Sequence, residues 1–205
     1  MSSKTFSGAT KRLVTKEFIV PFILVTSLFF LWGVAHSLLD VLNKHFQDIL
    51  GITRARSGLV QAALYGGYFI MAIPAGIFMN RLGYRKGIIT GLLLYAAGAF
   101  LFLPATYIQT FEFTLISLFV IACGLTFLET AANPYSSVLG PKETSEQRLT
   151  LSQSFNGLGW IIGPALGGML ILGGDGAGDT NKFSSMALPY MLIGGVVLVI
   201  AFMFM

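Results

Sequence analysis

Residues 118–135 read LFVIACGLTFLETAANPY, and the acid at position 129 decides how the chain is read. The run from Leu118 to Leu128 is apolar apart from Thr126, and at least one more helical turn follows Glu129. Such a stretch belongs in a bilayer, where a charged carboxylate costs about 2.5 kcal/mol or more. The acid survives there only by facing a cavity, a partner or a proton. A second stretch, FFLWGVAHSLLDVLNKHF at 29–46, sets Asp40 in a similar place. Two acids at membrane depth point to a protein that moves something across the membrane and couples that movement to protons.

Composition supports the membrane reading. The 205 residues are 55% hydrophobic and 11% charged, and mean hydropathy is +0.77. Apolar stretches of about 20 residues recur, long enough to cross a hydrocarbon core of about 30 Å. The expected fold is an all-α membrane protein with six transmembrane helices. The spans run approximately over Phe18–Leu50, Ser57–Met79, Gly87–Pro104, Phe111–Val138, Leu149–Leu172 and Ala187–Met205. Residues 1–17 form an N-terminal tail and 18–205 the helical bundle. Connections at Asn80–Lys86, Gly140–Arg148 and Gly173–Ser185 separate the later spans.

The +4 net charge reflects topology signals rather than affinity for nucleic acid. Of 13 Lys and Arg, nine fall in the tail and in the loops after spans two and four. That bias places the N-terminus in the cytoplasm of a multi-pass protein, most naturally in a bacterial inner membrane. The single cysteine, Cys123, has no intrachain disulfide partner. The first span is too long for a signal-peptide core, so it is expected to remain as a membrane helix. The chain ends at LVIAFMFM without a polar flank, which predicts a longer protein.

Helical spacing then gathers the polar groups. Asp40 shares a face with His36 and Ser37 before it and with Asn43, Lys44 and Gln47 after it. This stripe reads either as a cavity wall or as the point where the helix leaves the membrane. Asp40 is the candidate proton-coupling group, and His36 is either a relay or a pore-lining hydrogen-bond partner. Glu129 has Asn133 one turn on, followed by Pro134. It reads either as a cavity acid or as one locked in an interhelical hydrogen bond. Gln61, Tyr65 and Tyr68 share a face of span two, and Gln153, Asn156 and Trp160 share a face of span five. Amides beside an aromatic ring suit a neutral polyhydroxylated ligand, whose hydroxyls bond the amides while its C–H face stacks on the ring. No Cys/His spacing suggests a metal, and no nucleophilic triad or phosphate loop is present, so an enzyme is not expected.

Two resemblances follow from these segments. Gly76-Ile-Phe-Met-Asn80-Arg81-Leu-Gly83-Tyr84-Arg85-Lys86 resembles the loop signature between the second and third helices of the major facilitator superfamily, with Asn80 where that signature has Asp. FFLWGVAHSLLD (29–40), QAALYGGYFIMAIPAGIFMNRLGYRKGIITGLLLYAAGAFLF (61–102), FLETAANPY (127–135), VLGPKE (138–143) and RLTLSQSFNGLG (148–159) together resemble the fucose–proton symporter family of that superfamily. The resemblance implies that Asp40 is the proton-coupling acid, that Glu129 takes part in sugar recognition and coupling, and that Gln153 and Asn156 line the cavity. His36, Ser37 and Leu39 stand where fucose transporters carry Asn, which leaves the sugar open between fucose and another hexose. Gly159–Gly168 is similar to the fifth-helix signature of proton-coupled drug antiporters, and is also a small-xxx-small packing face.

The superfamily fold has two six-helix halves, each built from two inverted three-helix repeats, with substrate held between the halves. This chain corresponds to the N-terminal half. The resemblance therefore implies a proton-coupled sugar symporter working by alternating access, with a sugar, the lipid bilayer and a second six-helix half as partners. The proton is the coupling ion and no cofactor is implied. An exporter of drugs or metabolites, or a non-transporting fragment, are the other readings.

Overall fold

The computed structural model describes residues 12–50, 53–108, 110–169 and 184–205, and these are helical with no strand among them. A 3-10 turn at Lys16–Phe18 leads into α1 (Ile19–Leu50). Then come α2 (Arg54–Leu82), α3 (Tyr84–Phe100), α4 (Phe102–Ile108) and α5 (Phe111–Val138). A second 3-10 turn at Lys142–Thr144 precedes α6 (Ser145–Gly167), and α7 (Ser184–Phe204) follows.

Together α3 and α4 make the third expected span, so the seven α-helices among the described residues correspond to the six expected spans. The break at Leu101 corrects the expectation of one continuous helix, and Pro104 accounts for it. Without an N–H, Pro104 cannot donate to the Phe100 carbonyl one turn back. By length and composition Lys16–Leu38, Ala55–Leu82, Tyr84–Ala105 and Phe111–Val138 can cross a membrane, and Pro189–Phe204 is a shorter apolar helix. The α6 helix falls below that threshold because Gln147, Arg148, Gln153 and Asn156 interrupt its apolar residues. The expected loop at Asn80–Lys86 contracts to Gly83, whose φ of 83° favours glycine. Its N–H closes α2 by donating to the Met79 carbonyl at 2.9 Å. Of the tail, residues 1–11 lie outside the described residues, as does most of the Gly173–Ser185 connection.

Packing follows an inverted-repeat logic. The first helix of one repeat lies against the second helix of the other, α1 on α6 and α5 on α2, while α3 also packs on α5 and α7. The core between them holds Val25, Leu28, Phe29, Leu92, Tyr95, Leu118, Ile121, Leu125 and Val197. Outward, Phe69, Ile73 and Phe202 are each about three-quarters or more exposed, which suits lipid rather than water.

The α1–α6 crossing depends on glycines. A Cβ on Gly33 would clash with the Asn156 carbonyl oxygen, and one on Gly159 with that of Phe30. Gly163 closes similarly on Ser37, so the small-residue face works as a packing seam. Gly33→Ala is expected to lower stability by about 1–3 kcal/mol through overpacking. Gly157→Ala, with nothing within 4 Å, should change it little. Thermal unfolding of the two purified variants checks the contrast.

Two arginines tie one end together. Arg85 donates from Nε to the Phe204 carbonyl at 2.8 Å and from Nη2 to that of Met205, capping α7. The Arg148 residue is fully buried. Its guanidinium reaches the carbonyls of Leu13, Ser136, Ser137 and Pro141 and the Thr144 hydroxyl. Residues just before α1 are thereby fastened to the α5–α6 connection. At the opposite end Arg56 pairs with Glu112 at 2.7 Å, joining the starts of α2 and α5.

Candidate functional site

Glu129 sits on α5 among three helices. It lines a narrow cleft with Phe29 and Trp32 of α1. It also lines an open cavity of about 370 Å³ with Tyr68 and Ala72 of α2 and with Thr126, Thr130 and Asn133 of its own helix. Among the described residues no hydrogen bond or ion pair engages its carboxylate, which disfavours the interhelical lock. Pro134 leaves the Thr130 carbonyl without its usual helical donor, so the cavity wall also offers a backbone acceptor.

A short amide chain continues from this acid. Asn133 Nδ2 donates to the Glu129 backbone carbonyl at 3.1 Å, and Gln153 Nε2 donates to Asn133 Oδ1 at 3.1 Å. The structure thus brings Glu129, Asn133 and Gln153 together across α5 and α6. The Asn156 amide behaves differently, donating to the Phe29 carbonyl at 3.0 Å. Part of its capacity is used in joining α6 to α1.

An aromatic cluster adjoins the acid. The His36 ring stacks on Trp160, with centroids 5.8 Å apart at 27°, and meets Trp32 edge-on at 6.0 Å. Its Nε2 lies 2.8 Å from the Tyr68 hydroxyl, which also accepts from Trp32 Nε1 at 3.0 Å. Tyr65 is exposed and Gln61 half-buried on the same helix. The side chains of Asp40, Asn43, Lys44 and Gln47 lie outside the described residues, although their positions fall within α1. In the loop motif Gly76 is half-buried, and Asn80, Arg81 and Lys86 are exposed beside the α7 cap made by Arg85.

Two contributors, Trp32 and Thr126, were absent from the residues singled out in the sequence. Trp32 lies one turn before His36 and Thr126 one turn before Glu129, so helical spacing was a usable signal. A cavity of about 510 Å³ lies between α1 and α6 and is lined by Phe22, Phe30, Leu151 and Phe155 among others. No titratable group lines it, unlike the cavity at Glu129.

The family model for the Major Facilitator Superfamily matches residues 18–205. The chain belongs to this superfamily. It is 45% identical to the L-fucose-proton symporter of Escherichia coli strain K12 over 207 residues, covering 93% of this chain and 47% of that protein. It is 39% identical over 181 residues to a glucose/galactose transporter of Brucella abortus, covering 88% of this chain and 44% of that one. The solved structure of the transporter FucP in the outward conformation aligns with a TM-score of 0.75 at 45% identity. That alignment covers 92% of this chain and 50% of that one. The chain spans about half the length of the curated relatives it matches. These relatives are transporters rather than enzymes. In a major facilitator half, α1 and α5 are the equivalent first helices of the two repeats, so Asp40 and Glu129 belong to related elements.

Proposed function

We propose that this chain is the N-terminal half of a proton-coupled hexose symporter that works by alternating access. The observation that carries the reading is the unpaired Glu129 carboxylate, open to a cavity whose other polar groups are amides and hydroxyls. That chemistry suits a neutral sugar: sugar hydroxyls donate to the carboxylate, and ring C–H groups lie on Trp160 or His36. The activities of its relatives, fucose–proton symport and glucose/galactose transport, support the same substrate class.

In this mechanism Asp40 binds the coupling proton, and sugar binds against Glu129, Asn133, Gln153 and Asn156, with His36, Gln61, Tyr65 and Trp160 on the surrounding wall. The two halves then rock to expose the opposite side. Binding drives the shift only as far as it favours one state over the other. The protein lies in a bacterial inner membrane with its N-terminus in the cytoplasm, following its basic-residue bias.

Asp40→Asn tests the coupling. In membranes from cells expressing the intact gene, exchange of labelled sugar at equal pH should persist, while net uphill uptake falls to background. Uphill uptake that survived would remove Asp40 from the coupling role. Efflux of apolar compounds with indifference to sugars would favour the exporter instead.

A further inference from the structure

Tyr68 stands where the aromatic cluster meets the acidic cavity. Its oxygen accepts from Trp32 Nε1 at 3.0 Å and lies 2.8 Å from His36 Nε2. The same side chain lines the cavity wall with Glu129, Thr130 and Asn133. A phenol has one O–H to donate and two lone pairs to accept with. If the His36 Nε2–H donates, both lone pairs are occupied, and the Tyr68 proton is left to point into the cavity. The ionised Glu129 carboxylate can only accept. With that His36 tautomer the cavity offers a donor on α2 and an acceptor on α5, an arrangement that a single alcohol satisfies by accepting from one and donating to the other.

The geometry points to Tyr68 as a specificity-determining residue, which reads one hydroxyl of the sugar by donating to it opposite Glu129. Trp32 and His36 are positioning residues in this arrangement, since they act through the Tyr68 oxygen. The inference rests on the sugar-transport reading and adds the α2 partner that recognition by Glu129 alone lacks.

The test is sugar binding to membranes from cells expressing the intact gene, with a hexose and its set of monodeoxy analogues as probes. The unsubstituted protein should bind one deoxy analogue markedly more weakly than the parent sugar. Tyr68→Phe should weaken parent-sugar binding about tenfold and lose most of the discrimination against that analogue, with the other analogues weakened as much as the parent. Trp32→Phe, which removes the N–H that orients the phenol together with part of the ring, should reduce discrimination at the same position to a lesser degree. It serves as the second variant should Tyr68→Phe fold poorly. Equal weakening of every analogue, leaving discrimination intact, would mean a merely structural role and overturn the inference. So would unchanged binding of the parent sugar. Failure of the unsubstituted protein to bind any hexose would instead overturn the transport reading itself.

Discussion

Glu129→Gln is expected to lower sugar uptake about tenfold to a hundredfold while leaving the protein folded. Both halves of that expectation come from the same geometry. The carboxylate has no hydrogen-bond or ion-pair partner among the described residues, so the near-isosteric amide breaks no internal bond. What it loses is the acceptor strength of a charged oxygen, and hydrogen bonds to charged groups contribute about 1.5–3 kcal/mol. Uptake of labelled hexose and thermal unfolding should be measured on the same preparation. A fall in uptake without a fall in unfolding temperature is the predicted pair. Collapse of both would make Glu129 a structural residue.

The second large effect is on stability. Arg148→Met should destabilise the protein by about 3 kcal/mol or more. Among the described residues the buried guanidinium has no acidic partner; carbonyl dipoles hold it instead. Ser136 and Ser137 present the last-turn carbonyls of α5, where helix ends carry partial negative charge. Leu13 and Pro141 add loop carbonyls at 3.1 and 2.9 Å. Removing the cation strands several buried acceptors, each costing about 1–3 kcal/mol. Lysine keeps the charge but lacks the planar fork, so Arg148→Lys should fall between methionine and the unsubstituted protein. The readout is the unfolding midpoint in detergent, together with protease cleavage around Leu13.

These two residues also mark what the sequence could convey. Glu129 was legible because an acid after a long apolar run is costly wherever that run sits, and Asn133 followed from helical spacing. In the sequence Arg148 is indistinguishable from a topology charge, since counting basic residues treats every arginine alike. Its burial depends on where the α5–α6 turn and the residues before α1 come together. Span three was placed, but Pro104 breaks it one turn upstream, an effect that apolar runs do not register. Asn156 was read as cavity-lining, although its amide is partly engaged with α1. Spacing identifies a face without identifying the neighbour across it. For the same reason the junction of Trp32, His36 and Tyr68 became visible only once α1 and α2 were set side by side.

The inverted-repeat packing carries the functional argument further than any single contact. With α1 on α6 and α2 on α5, polar residues from four helices converge on one side of the bundle while apolar residues such as Phe69 and Phe202 face outward. In the superfamily fold the substrate site lies between two such halves.

The central claim is that sugar and proton cross together. The direct measurement is the pH of a weakly buffered, de-energised suspension of cells expressing the intact gene, followed on addition of fucose, glucose or galactose. The account predicts a prompt alkalinisation with at least one of these sugars, absent from cells carrying Asp40→Asn. Sugar entry with no proton movement, or no response to any of the three, would contradict it.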